Sequence, residues 1–405
     1  MRRLAPLLVA TLLALPAGAG ARTLAPTPYM GWDSSYAFGT HFDEATILEQ
    51  ASNLQSEGLE RDGYKIVWLD AGWWQGHRSH DGTIEVSASQ WPHGIAWLAA
   101  TLHREGFELG LYTDAGARGC AGPGEGMWGH YRQDIDTFAR WGVDALKVDF
   151  CGGDDQHLQP STVYGEIHDA IVHDTPHRAM MLEVCVFARP GGANGAYPPF
   201  GRSAFASWSF APAIATSWRT DTDIGSYVNG VQWPAVVRNM LSDATEPLAA
   251  GPGHWNDPGY LSPDLGMDAA QFQTQMSMWA MLAAPLMISA NLATLTPASF
   301  QTVTNRTVIG IDQDQLGRQA VQVPPADVTG SPNGEAWIRP LTHGRWALAL
   351  LNLGSTPLTI ATKAPLASYE LTDAWSGASS TGSGTISAPV AGDSTALFIV
   401  GAASG

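Results

Sequence analysis

The 405-residue chain carries a formal net charge of −17, with 15% charged and 45% hydrophobic residues. So acidic a balance repels nucleic acid and anionic lipid, argues against membrane association and suits an uncharged substrate. The length exceeds one ordinary domain and suits a (β/α)8 barrel of roughly 250 residues or more with a smaller module.

The chain opens on MRRLAPLLVATLLALPAGAGARTLAP, two arginines followed by a short apolar run and small residues at Ala17, Ala19 and Ala21. This pattern predicts a secretory signal peptide over 1–21, too short in its apolar core to span a bilayer, and hence a secreted or periplasmic protein. Three cysteines, Cys120, Cys151 and Cys185, allow one disulfide in an oxidising compartment, and spacing alone does not choose the pair.

Short apolar runs then recur, each ending in a polar or aromatic cluster. They are PYMGWDSS at 28–35, YKIVWLDAGWW at 64–74, FELGLYTDAG at 107–116, ALKVDFCGG at 145–153, AMMLEVC at 179–185, TSWRTDTDI at 216–224, GHWNDPG at 253–259 and PLMIS at 285–289. Between them lie segments with apolar residues at three and four spacing, such as EATILEQASNLQSEGL, HYRQDIDTFARWG and DAAQFQTQMSMWAMLA. Strand and helix alternating eight times predict a (β/α)8 TIM barrel over 22–315. A doubly wound open sheet is the competing architecture, but no Gly-rich phosphate loop follows an early strand. Over 316–405, and clearly from Glu335, alternating segments such as RWALALLNL, YELTDAW and TALFIV, separated by Gly, Ser and Thr turns, predict an antiparallel β-sandwich.

A barrel active site gathers at the C-terminal strand ends. The polar residues ending the runs are Asp70, Tyr112, Asp114, Lys147, Asp149, Glu183, Cys185, Arg219, Asp221, Asp223, Asn256 and Asp257. Carboxylates dominate. No His/Asp/Glu cluster has metal-ligand spacing, His254 standing alone, and no cofactor is implied. Two carboxyls across a sugar can break a glycosidic bond, one attacking and one donating a proton. Lys147 and Asp149, two apart on one strand, share a face, so the ammonium can keep Asp149 ionised. Arg219 lies four residues before Asp223, but Asp221 competes for the second role and spacing does not separate them. Asp70, beside Trp73 and Trp74, reads as a hydroxyl acceptor next to an aromatic wall, or alternatively as a helix cap.

With these segments side by side, the chain resembles glycoside hydrolase family 27, the α-galactosidases and α-N-acetylgalactosaminidases. The likeness is carried by TPYMGWDSS, YKIVWLDAGWW, LGLYTDAGARGCAG, FARWGVDALKVDFC, SWRTDTDI, GPGHWNDPGYL and MSMWAMLAAPLMIS, in order over nearly the whole chain after the leader. The resemblance implies a retaining α-galactosidase-like enzyme acting on an oligosaccharide or polysaccharide, with Asp149 as nucleophile and Asp223, rather than Asp221, as acid/base. It places Lys147 and Arg219 on substrate hydroxyls, Asp70 on the far side of the sugar, Tyr112 on a wall of the subsite, and Cys185 as a free thiol near the sugar 2-position. Trp32 joins the substrate-binding set. It pairs Cys120 with Cys151. Ala71, Ser35, Val186 with Phe187, and Gly259 depart from the family pattern and loosen the expected galactose fit. Isomaltodextranase, β-L-arabinopyranosidase and a catalytically inactive glycan-binding protein are therefore alternatives. The stretch ARPGGANGAYPPFGRSAFASWSF after the fifth run is a candidate extended subsite through Tyr197, Arg202 and Trp208.

Overall fold

The computed structural model describes residues 24–74, 77–120, 126–174, 176–186 and 207–403. The expected signal peptide, 1–21, and Phe187, Tyr197 and Arg202 lie outside the described residues.

Eight parallel strands make one curled sheet: β1 (Met30–Asp33), β2 (Ile66–Leu69), β3 (Glu108–Asp114), β4 (Ala145–Asp149), β5 (Met181–Cys185), β6 (Ser217–Arg219), β7 (Trp255–Asp257) and β8 (Leu286–Ile288). Their order is β7-β6-β5-β4-β3-β2-β1-β8, so every strand from β1 to β6 lies beside its successor in sequence and β8 lies beside β1. Between them run helices α1 (Glu44–Ser56), α2 (Ile95–Arg104), α3 (Tyr131–Trp141), α4 (Pro160–Val172), α5 (Trp233–Asp243) and α6 (Ala269–Leu282). Helices cover the outside and side chains fill the inside, so the strands are buried almost throughout and read as unbroken apolar runs. This is the TIM barrel expected from the repeating pattern.

The barrel closes by an irregular route. After β7 the chain turns through Pro258 and Gly259 and rejoins the sheet at Leu261, which makes a parallel bridge to Ile288. Leu261 N donates to Met287 O at 2.8 Å and Ser289 N to Leu261 O at 2.8 Å. Gly259 has φ +110°, and a Cβ there would lie 3.0 Å from Arg219 Nη2, so glycine serves both the turn and the room that Arg219 occupies.

From Val321 the chain is β-structure: β9 (Val321–Gln322), β10 (Val328–Thr329), β11 (Gly334–Pro340), β12 (Trp346–Asn352), β13 (Leu358–Asp373), β14 (Ser379–Val390) and β15 (Ser394–Ala402). They form the expected antiparallel β-sandwich, ordered β9-β11-β12-β15-β13-β10 with β14 beside β13. Helix α6 packs against β12 and β15 on one side and the barrel on the other, which is why nearly all of it is buried and it lacks a polar face. Its start carries a capping box between Asp268 and Gln271. Trp375 Nε1 donates to Ser277 Oγ on this helix at 3.1 Å, and buried Arg339 donates to Ala280 O, joining the two parts.

Candidate active site

At the C-terminal strand ends lies a cleft of about 310 Å³, lined among others by Asp70, Lys147, Asp149 and Asp223. A larger cavity, about 550 Å³, sits at the opposite end of the barrel among Met180, Thr216 and His254 and contains none of these four.

Asp70 leaves β2 with its N–H donating to Ser34 Oγ at 2.9 Å, which fixes the turn. Its Oδ2 accepts from Lys147 Nζ at 2.7 Å and from Tyr260 OH at 2.9 Å, and Lys147 Nζ lies 2.7 Å from the same hydroxyl. Burial pushes the Asp70 carboxyl up, but the ammonium and its hydrogen bond outweigh this and hold it below the usual carboxylate range. Burial likewise disfavours the Lys147 charge, and Asp70 foremost reverses that, holding the ammonium well above its ordinary value. The two form a fixed charged pair rather than a titrating one.

Asp149 stands differently. Its Oδ1 is buried without a hydrogen-bond partner among the described residues. Burial drives its carboxyl up to about 6, opposed by the Lys147 charge and by a hydrogen bond from the Cys185 thiol. Cys185 lies opposite Asp149 across the β4/β5 ladder. Burial and the Asp149 charge push the thiol well up, so it remains a donor rather than a nucleophile. Lys147 thus acts on Asp149 through its field, while its direct bonds go to Asp70 and Tyr260.

Arg219, at the end of β6, is 1% exposed and donates through Nη2 to Asp223 Oδ1 at 2.9 Å. Its Nε and Nη1 have no partner among the described residues. The Asp223 side chain is half exposed. Asp221 turns away: it accepts from the Ser242 hydroxyl and pairs with Arg238 at 3.3 Å, both on α5. Of the two aspartates, Asp223 lines the cleft and Asp221 is held against helix α5.

Cys120 and Cys151 form a disulfide, tying the loop after β3 to the segment just past Asp149. Tyr112 OH accepts from Cys120 N at 2.9 Å, and its ring lies 5.7 Å from the Lys147 ammonium, so it supports the cleft from behind. Cys185 and Arg219 likewise stand behind the lining.

Trp32 requires a correction. Expected to bind substrate, it is wholly buried with its indole N–H donating to Ala290 O at 2.8 Å, and Ser35 and Tyr36, past the end of β1, line the cleft instead. The other strand-end carboxylates serve the fold. Asp114 accepts from Gly116 N at 2.6 Å and Gly152 N at 3.1 Å, with burial raising it to about 7. Glu183 hydrogen-bonds Asp257, and burial with that neighbouring charge raises it to about 8. Asn256 Nδ2 donates to Gln319 Oε1 at 2.9 Å. Trp208 is partly buried against the core.

Sequence reasoning passed over Tyr260, Tyr36 and Tyr227. Tyr260 sits one residue beyond the GHWNDPG run, and only the irregular closure through Leu261 brings its hydroxyl onto Asp70. Its ring meets Tyr36 edge-on, centroids 5.2 Å apart. Tyr227 stands on the short hairpin after Asp223, where no apolar run marked a strand end.

The arrangement holds two carboxyl groups of different character in one cleft, one buried and one half exposed, beside a fixed cation–anion pair suited to sugar hydroxyls. Residues 33–314 match the family model described as alpha galactosidase A, and 332–400 that of the alpha galactosidase C-terminal beta sandwich domain. The chain is 33% identical over 336 residues to alpha-galactosidase A of Cellvibrio japonicus, covering 81% of this chain and 76% of that protein. It is 32% identical over 340 residues to alpha-galactosidase 2 of Arabidopsis thaliana, covering 83% and 78%. The crystal structure of alpha-galactosidase I from Mortierella vinacea superimposes with a TM-score of 0.82 over 96% of this chain and 99% of that one; at 24% identity this likeness concerns the fold.

Proposed function

The chain belongs to the alpha-galactosidase family, glycoside hydrolase family 27, and from that membership we propose that it hydrolyses terminal α-linked galactose by double displacement, with Asp149 as nucleophile and Asp223 as acid/base. The observation that carries this reading is the contrast between the two aspartates within one cleft. Asp149 has an unsatisfied buried oxygen and a charge sustained by Lys147, the state of a carboxylate ready to attack an anomeric carbon. Asp223 is half exposed and steered by Arg219, where it can donate a proton to the leaving oxygen and later take one from water.

In the first step the Asp149 oxygen forms a bond to the anomeric carbon as the bond to the leaving oxygen breaks and Asp223 gives up its proton. In the second, Asp223 removes a proton from water, whose oxygen displaces Asp149 and restores both groups. Asp70 and Lys147, in the cleft wall, are set to hold ring hydroxyls, while Arg219, behind the lining, acts through Asp223. Binding donors and acceptors already locked to one another require little reorganisation when the sugar arrives. Export of the enzyme fits the leader pattern and the Cys120–Cys151 bond.

Native protein incubated with 5-fluoro-α-galactosyl fluoride and then denatured should carry one added glycosyl group, mapping to Asp149. In a panel of aryl α-galactoside, α-glucoside, β-L-arabinopyranoside and dextran, the α-galactoside should turn over fastest. Ala71 in the cleft wall favours β-L-arabinopyranoside as the second substrate, since that sugar repeats the galactose hydroxyl pattern without the exocyclic CH₂OH. Faster turnover of another sugar overturns the galactose assignment, labelling elsewhere overturns the nucleophile, and no turnover at all returns the glycan-binding alternative.

A further inference from the structure

Asp223 is followed at once by a two-strand hairpin, Gly225–Ser226 paired antiparallel with Gly230–Val231, whose tip carries Tyr227 and Val228. Both residues line the cleft that holds Asp149 and Asp223, yet Tyr227 is 50% and Val228 85% exposed. Large apolar side chains left open to solvent beside a carboxylate pair call for an occupant. The neighbouring wall is built of small residues, Ser35, Gly39, Thr40 and Ala71, so the cleft continues past the carboxylates toward the hairpin.

The hairpin is anchored. Gly225 N donates to Tyr36 OH at 3.2 Å, Val231 N to Leu265 O at 2.6 Å and Asn229 N to Ser226 Oγ at 3.1 Å. Gly225 has no room for a side chain, a Cβ there falling 2.4 Å from Gly230 O. The Tyr227 ring is backed by Gly39, where a Cβ would lie 3.1 Å from Tyr227 Cδ1, and by the His41 ring, 6.1 Å away between centroids. One side of the ring is thus supported while half its surface stays open, the condition for a preformed stacking surface.

Which part of a substrate reaches it follows from proton transfer. A general acid must lie on the leaving-group side of the scissile bond, and the hairpin springs from the residue after next to that acid. Resting on the reading of Asp223 as acid/base, we infer that Tyr227, with Val228 beside it, forms the subsite for the leaving-group sugar, an uncharged pyranose that stacks its C–H face on the ring. The chemistry of this ledge is apolar and neutral, so it selects a carbohydrate leaving group rather than a charged one. The same surface receives an acceptor sugar in the second step: its hydroxyl oxygen bonds the anomeric carbon as the Asp149 ester bond breaks and Asp223 takes the hydroxyl proton.

The test compares an α-galactosyl disaccharide, whose leaving sugar reaches Tyr227, with α-galactosyl fluoride, whose leaving group does not. In Tyr227→Ala the ratio of kcat/KM for disaccharide to that for fluoride should fall about tenfold, and in Tyr227→Phe by less than about twofold, because the face is kept. With fluoride as donor and glucose as acceptor, the share of transfer product over hydrolysis should drop in Tyr227→Ala. A ratio unmoved in Tyr227→Ala, including equal loss on both substrates, overturns the subsite, and a tenfold fall in Tyr227→Phe overturns stacking. Failure of the underlying reading looks different: Asp223→Ala then keeps the wild-type rate on the disaccharide, or the wild type hydrolyses neither substrate.

Discussion

Replacing Asp149 by Asn should abolish turnover and make the protein more stable at neutral pH. The Asp149 carboxyl is raised from 3.8 to about 6, chiefly by burial, while an unfolded chain leaves it at the lower value. A folded value above the unfolded one means that stability is fully present below pH 3.8 and lost as the pH rises through 6. At pH 7.5 the ionised group therefore costs the fold about 3 kcal/mol, whereas at pH 4 it costs under about 1 kcal/mol. Asn removes the charge without stranding Lys147, whose ammonium keeps Asp70 and Tyr260 at 2.7 Å each. Thermal melts at the two pH values should show the variant about 5 °C above wild type at pH 7.5 and nearly level with it at pH 4. An Asn variant no more stable than wild type at pH 7.5 would refute the claim that Asp149 is held ionised at a cost.

The acidic limb of kcat/KM should fall near pH 6, since Asp149 as the proposed nucleophile must be ionised, and Cys185→Ala should move that limb upward by removing a donor to the carboxylate; a pH profile showing the limb unmoved or lower contradicts this. Tyr260→Phe removes the hydroxyl lying between Asp70 and Lys147 and should lower kcat/KM on an aryl α-galactoside about tenfold, with the loss visible in steady-state kinetics while the melting curve shifts little. Reducing the Cys120–Cys151 bond, which closes a loop of 31 residues' separation, should cost about 4 kcal/mol, and an unchanged midpoint in urea with and without reductant counts against that value.

The eight-strand repeat was legible because a strand buried on both faces must be a short apolar run, and a barrel active site must begin where such runs turn polar. Asp70, Lys147, Asp149 and Asp223 were all found that way, and the ordered family motifs singled out Cys120 with Cys151. Strand periodicity states which residues share a face of one strand, but not which side chain on the next strand they meet. Lys147 accordingly reaches across to Asp70 on β2 and to Tyr260 beyond β7, and touches its own-strand neighbour Asp149 only through its charge. Trp32, expected to bind substrate, lies inside the core, because the lining starts only past the end of β1. Asp221 and Asp223 are alike in sequence and part company on contact with α5, which takes one and leaves the other to Arg219. The kinds of groups and their strand ends are local properties of the chain, whereas the partners of Lys147 lie 77 and 113 residues away and meet it only once the barrel has closed.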